Sequence, residues 1–161
     1  MASIKRMLFT YPLFLFFLFT ITTQCDTIQV AEGGSISDGL SISAIRTGTH
    51  PTYSRIVFDI VYWRGNKENA GKPSKDIGHY RFTLNEKNIL NVELSGFRST
   101  SIKSMVDIHD TRIKSIRLLT GEEYGDDSSI FYTIQLRNRA KLKVFHLYNP
   151  ARIVLDIINH Q

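Results

Sequence analysis

From Leu40 onward, apolar and polar residues alternate with a period of two, and they do so in run after run. Side chains of a strand point to opposite faces in turn, so this period fits half-buried strands and fits helices badly. Leu40, Ile42 and Ala44 alternate with Ser41 and Ser43, and Ile56, Phe58, Ile60 and Tyr62 alternate with Arg55, Val57, Asp59 and Val61. The same pattern returns at 79–84, 90–95, 130–136, 141–144 and 152–157, with a further strand expected around Ile113–Leu119. Turn-forming segments separate the runs: Thr-Gly-Thr-His-Pro at 47–51, Asn-Glu-Lys-Asn at 85–88, Gly-Glu-Glu-Tyr-Gly at 121–125 and Tyr-Asn-Pro at 148–150. Many short strands spaced by turns predict an all-β protein, a β-sandwich of about seven or eight strands. At most one short helix is expected, at 98–110, where Ile102, Met105 and Val106 stand three and four residues apart.

The start of the chain bears on its compartment. Lys5 and Arg6 precede an apolar run from Met7 to Ile21, which is followed by Thr22 and Thr23. A bilayer-spanning helix needs about 20 apolar residues, so the run is short for a permanent anchor and matches a secretory signal over residues 1–25. The single cysteine, Cys25, lies where that signal ends and has no partner for an internal disulfide. Two fates of Cys25 are open: ordinary cleavage nearby to leave soluble protein, or acylation of the thiol as in a lipoprotein. Thr22, Thr23 and Gln24 fit the residues that usually precede an acylated cysteine poorly, which favours the first. Membrane contact is expected only if Cys25 is lipidated or the signal stays uncleaved.

Residues 26–39 are small, polar and glycine-containing and read as a linker, with one domain following at 40–158. Two of the 20 Lys and Arg and none of the 15 Asp and Glu fall in residues 1–25, leaving 18 − 15 = +3 on the rest. That mild excess suits an anionic polymer or surface, and export argues against nucleic acid as a partner.

One sequence echo carries family information. Residues 55–60 read Arg-Ile-Val-Phe-Asp-Ile and residues 152–157 read Arg-Ile-Val-Leu-Asp-Ile. Each copy puts Arg, Val and Asp on one strand face and three apolar residues on the other. The simplest account is two core strands whose outward Arg and Asp pair with each other; the functional alternative is a polar stripe that binds a ligand. In their wider setting, Gly48-Thr-His-Pro-Thr-Tyr-Ser-Arg-Ile-Val-Phe-Asp-Ile and Phe145-His-Leu-Tyr-Asn-Pro-Ala-Arg-Ile-Val-Leu-Asp-Ile resemble the opening and closing strands of AMIN and AMIN-like domains. The resemblance spans about residues 40–158 and is strongest in the closing Pro-x-Arg-Ile-Val-x-Asp. It implies a small β-sandwich of the kind found beside peptidoglycan amidases and in type IV pilus secretins, where it targets the protein to the cell wall or an envelope assembly. No amidase or secretin module accompanies it in this sequence, and the polar stretch Arg64–Asp76 looks like an insertion.

Catalysis is not expected. The sequence has no His-Glu-x-x-His, no Gly-x-Ser-x-Gly and no glycine-rich phosphate loop. The five histidines are scattered, so neither a metal nor a cofactor is implied. His109-Asp110 would point to opposite faces of a strand. Glu122, Glu123, Asp126 and Asp127 lack the Asp-x-Asp-x-Asp-Gly spacing of a calcium loop and read as a solvated acidic loop. Arg137, Arg139, Lys141 and Lys143 span an expected hairpin with Asn138 near its turn, and are the first candidates for an anionic partner. Arg55, Asp59, Arg152 and Asp156 are the second. The expected role is a non-catalytic envelope module in the periplasm or cell envelope of a bacterium, contacting peptidoglycan or an anionic wall polymer. A protein–protein adaptor in an envelope secretion or type IV pilus assembly is the alternative.

Overall fold

The computed structural model describes residues 28–65, 71–101, 105–106, 108, 110–119 and 128–159. The signal-like start, Cys25 and the acidic loop lie outside the described residues. Eleven strands are present among the described residues: β1 (Gln29–Gly34), β2 (Leu40–Thr49), β3 (Tyr53–Tyr62), β4 (His79–Leu84), β5 (Ile89–Ser95), β6 (Phe97–Thr100), β7 (Met105–Val106), β8 (Ile113–Leu119), β9 (Ser129–Leu136), β10 (Ala140–Leu147) and β11 (Arg152–Asn159). They form a six-stranded sheet ordered β1-β4-β5-β9-β8-β7 and a five-stranded sheet ordered β10-β11-β3-β2-β6. Every pairing is antiparallel except β2 with β6. The expected β-sandwich is the observed fold.

The core forms between the sheets from the inward half of each alternating run. Ile56, Phe58 and Ile60 of β3 and Ile153, Leu155 and Ile157 of β11 meet Phe82, Leu90, Val92, Tyr132 and Ile134 of the other sheet. Phe58 bridges the layers, edge-on to Phe82 at 6.1 Å and tilted against Tyr132 at 5.8 Å between ring centroids. Such aromatic pairs contribute about 0.5–1.5 kcal/mol each beyond the area they bury. Tyr132, fully buried, donates its hydroxyl to Thr100 Oγ1 at 3.0 Å, and burial pushes its phenol well above the ordinary value.

Four expectations need correction. Residues 29–34 of the expected linker are the strand β1, in register with β4 from Gln29–Leu84 to Gly34–His79. Its pairing is carried by backbone hydrogen bonds, which leave no hydrophobic alternation to read, and Val30 faces solvent. The helical hint at 98–110 finds no helix among its described residues, of which 98–100 and 105–106 are strand. Ile102, one of the residues behind that hint, lies outside them.

The third correction concerns β2. A bulge between Ile42 and Ala44 shifts the register, so Ala44 faces outward opposite Asp59 and Ile45 packs on the core instead. The fourth is the supposed hairpin at 137–143. β9 and β10 belong to different sheets, so Arg137–Arg139 cross between layers. The link has no glycine for the φ > 0 positions that tight hairpin loops favour. At the seam so formed, Gln29 of β1 joins β10 through both ends of its amide, donating to Ala140 O at 2.8 Å and accepting from Leu142 N at 3.0 Å.

Candidate functional site

The echoed strands turn out to be direct neighbours. β3 and β11 pair antiparallel with Arg152 opposite Asp59, Val154 opposite Val57 and Asp156 opposite Arg55. An antiparallel pair of copies of Arg-x-Val-x-Asp sets each Arg against the other copy's Asp, with a local two-fold between the valines. Outward residues of β10 and β2 flank this centre. Lys143 lies beside Asp156 and Phe145 beside Val154, while Arg46 lies beside Val57 and Gly48 beside Arg55.

The flanking strands break the symmetry. Arg55 donates from Nε and Nη2 to the two oxygens of Asp156 at 2.6 and 2.8 Å. Its guanidinium also lies over Tyr53 and Phe145, 5.0 and 5.6 Å from their ring centroids. The Asp156 side chain is only 7% exposed, against 39% for Arg55. At the mirrored position the expected Arg152–Asp59 pair does not form. Arg46 takes Asp59, donating from Nε and Nη2 at 2.6 and 2.7 Å. Arg152 is left with a long contact from Nε to Pro150 O at 3.4 Å. Hydrogen bonding to their carboxylates raises the Arg46 and Arg55 guanidinium values, so both are cations at any physiological pH.

The sequence candidates therefore separate into two places. Arg55, Asp59, Arg152, Asp156, Lys141 and Lys143 share the outer face of the five-stranded sheet. Arg137 and Arg139 stand in the inter-sheet link, where Arg137 Nε donates to Asp110 O at 3.1 Å. Arg46 joins the face because of the β2 bulge, whereas unbroken alternation from Leu40 would have turned it inward. The cations Arg46, Arg55, Lys141, Lys143 and Arg152 outnumber Asp59 and Asp156 five to two, so this one face carries a net +3. At its margin Leu147 and Tyr148 are exposed by 40% and 59%.

Asp110, weighed in the sequence only beside His109, has a structural role that sequence reasoning did not find. It is buried at the end of the sandwich where β2, β3 and β8 meet. Its carboxylate accepts from Thr49 Oγ1 at 2.5 Å, Ser54 Oγ at 2.8 Å, Arg112 N at 2.7 Å and Ile113 N at 3.0 Å. Burial acts to raise its pKa, and the four donors together outweigh it and hold the value below the usual carboxylate range. With every oxygen occupied by structural donors, Asp110 serves as a clamp rather than as an acid or base.

Elsewhere, a depression of about 560 Å³ lies between the β1–β2 link and the β5–β6 turn, floored by Gly96 and rimmed by Ile36, His79 and Arg98. Arg98 there is bidentate to Asp38. Among the described residues no three His, Cys, Asp or Glu side chains cluster as metal ligands would.

A family model for the AMIN-like domain matches residues 40–159, about three-quarters of the chain. The chain belongs to the AMIN-like family. Its echoed strands β3 and β11 and the candidate face they carry lie wholly inside the matched region. AMIN-like domains occur in bacterial envelope proteins as targeting modules. No curated protein and no solved structure matched.

Proposed function

We propose that this AMIN-like protein is a non-catalytic binding and targeting module that contacts peptidoglycan or a related anionic wall polymer through the outer face of its five-stranded sheet. The observation that supports this most is the five-to-two excess of cations on that face, with Lys141 and Lys143 exposed. Arg and Lys are the natural partners of carboxylate and phosphate groups, and a flat strand surface suits an extended polymer. Export through the signal-like residues 1–25, leaving the domain soluble or held by an acylated Cys25, belongs to the same reading.

The test is sedimentation of the exported protein with purified peptidoglycan. Co-sedimentation should fall as salt rises, because exposed charges are screened beyond about 10 Å at 0.1 M. Lys141→Glu, at a position that faces Ile158 and no carboxylate, should weaken it without lowering stability. A second reading, an adaptor for a protein partner in an envelope assembly, draws on exposed Leu147 and Tyr148. An adaptor would stay in the supernatant and be recovered instead on a protein partner, with binding lost in Tyr148→Ser.

A further inference from the structure

The bulge in β2 decides which arginine of the face is left free. It turns Arg46 outward, diagonal to Asp59, whose direct neighbour on β2 is the small Ala44. A long side chain can reach its cross-strand diagonal neighbour, and Arg46 takes both oxygens of Asp59 at 2.6 and 2.7 Å. Arg152 of β11 stands directly opposite the same residue on its other side. The equivalent register at the far end of the local two-fold gives the bidentate Arg55–Asp156 pair. Arg152 is therefore placed to bind Asp59 and is displaced from it by Arg46. Its Nε keeps the 3.4 Å contact to Pro150 O, while Nη1 and Nη2 have no partner among the described residues. On its β10 side Arg152 faces Leu147, which is 40% exposed.

We infer that Arg152 is the residue of this face that binds an oxyanion, a carboxylate or a phosphate, through the Nη1–Nη2 edge of its guanidinium, and that Arg46 is a positioning residue that keeps Arg152 available by occupying Asp59. A planar guanidinium holds such a group with two parallel hydrogen bonds. Lys141 and Lys143 attract the same charge as point cations without that geometry. Arg152 is half-buried, so part of its side-chain freedom is already lost before the anion arrives. Leu147 supplies apolar contact for the carbon atoms that bear the oxyanion. The site deepens the proposed polymer-binding role and rests on it only for what molecule carries the anion.

The exported protein, labelled with nitrogen-15, should be titrated with two soluble polyanions, poly-glutamate and polyphosphate, at constant ionic strength. The expected result is a saturating shift of the Arg152 Nε signal that exceeds those of Arg46 and Arg55. The polyanion that saturates at lower concentration identifies the carboxylate or the phosphate source. Arg152→Lys keeps the charge and removes the fork, and should weaken binding by roughly tenfold or more at unchanged melting temperature. The Arg46 side chain is 57% exposed, so Arg46→Met should still fold. It should weaken binding as much as Arg152→Lys, because Asp59 then captures Arg152, and the Arg152 Nε–H should exchange more slowly with solvent even without polyanion. Adding Asp59→Asn to Arg46→Met should restore binding. Lys141→Met removes one charge from the same face and should weaken binding by less than roughly threefold. Equal weakening in Arg46→Met and Lys141→Met would overturn the inference, as would an Arg152→Lys protein that titrates like the wild type. Peptidoglycan sedimentation separates the two levels. Wild type and Arg152→Lys sedimenting equally would remove the Arg152 site and leave the face, whereas saturable polyanion binding at Arg152 without sedimentation would leave the site and remove the wall polymer.

Discussion

The two arginines of the echoed strands are alike in sequence and unlike in structure, and stability should tell them apart. Arg55→Met deletes both donors to Asp156, a carboxylate whose side chain is 7% exposed. A charge-assisted hydrogen bond contributes about 1.5–3 kcal/mol, and removing one partner of a buried pair costs more than the pair was worth, because a desolvated charge is left behind. Arg55 is itself partly exposed, so water and Lys143 recover some of that. A loss of roughly 2–4 kcal/mol follows. Arg152→Met gives up only the 3.4 Å contact to Pro150 O, and should stay within about 0.5 kcal/mol of wild type. Urea unfolding at neutral pH measures both. The double variant Arg55→Met/Asp156→Val should regain most of the loss, since replacing both members of a buried pair by apolar groups is often neutral. Equal losses at Arg55 and Arg152, or a double variant no better than the single, would refute the assignment of Asp156 as the buried dependent partner.

Three more outcomes are expected. Asp110 has a folded-state pKa below its ordinary value of 3.8, so its stabilisation is present above that value and is lost as pH falls through the folded one; urea unfolding at pH 7 and pH 3 should show a smaller acid loss in Asp110→Asn than in wild type. Gly78→Ala places a β-carbon 2.5 Å from the Phe97 ring at a φ of +73°, and should lower the unfolding midpoint by the equivalent of about 1–3 kcal/mol. Tyr132→Phe removes only the hydroxyl bonded to Thr100 and should cost about 1 kcal/mol by the same measurement.

Elements that bury one face were legible in the sequence. All eight expected strands exist, because alternation is the imprint of a sheet with a wet side and a dry side. β1, β6 and the two-residue β7 were not legible. β1 has glycines at 33 and 34 and holds its place by backbone pairing, while β6 has four residues and buries only Phe97 fully among its members. The bulge in β2 did leave a mark: Ala44 and Ile45 are adjacent apolar residues, which strict alternation forbids. That mark, followed through, puts Arg46 outward and on Asp59. The echo correctly placed Arg55, Asp59, Arg152 and Asp156 on one face. Which carboxylate each arginine takes is decided by β2 and β10, strands whose neighbours no local pattern names. Asp110 was missed for a similar reason, since its donors Thr49 and Ser54 come from residues more than fifty positions earlier.

The position of β1 bears on how this domain can be handled. The family match begins at Leu40, so a fragment cut at that boundary would lack β1. The β4 edge from His79 to Leu84 would then present a row of unpaired amides and carbonyls, and Tyr80 would lose Gly33, which lies against its ring. Gln29 would also be gone from the seam with β10. An open strand edge of six residues is a template for another copy of the same edge, so the shortened fragment should self-associate where the protein beginning before Gln29 does not.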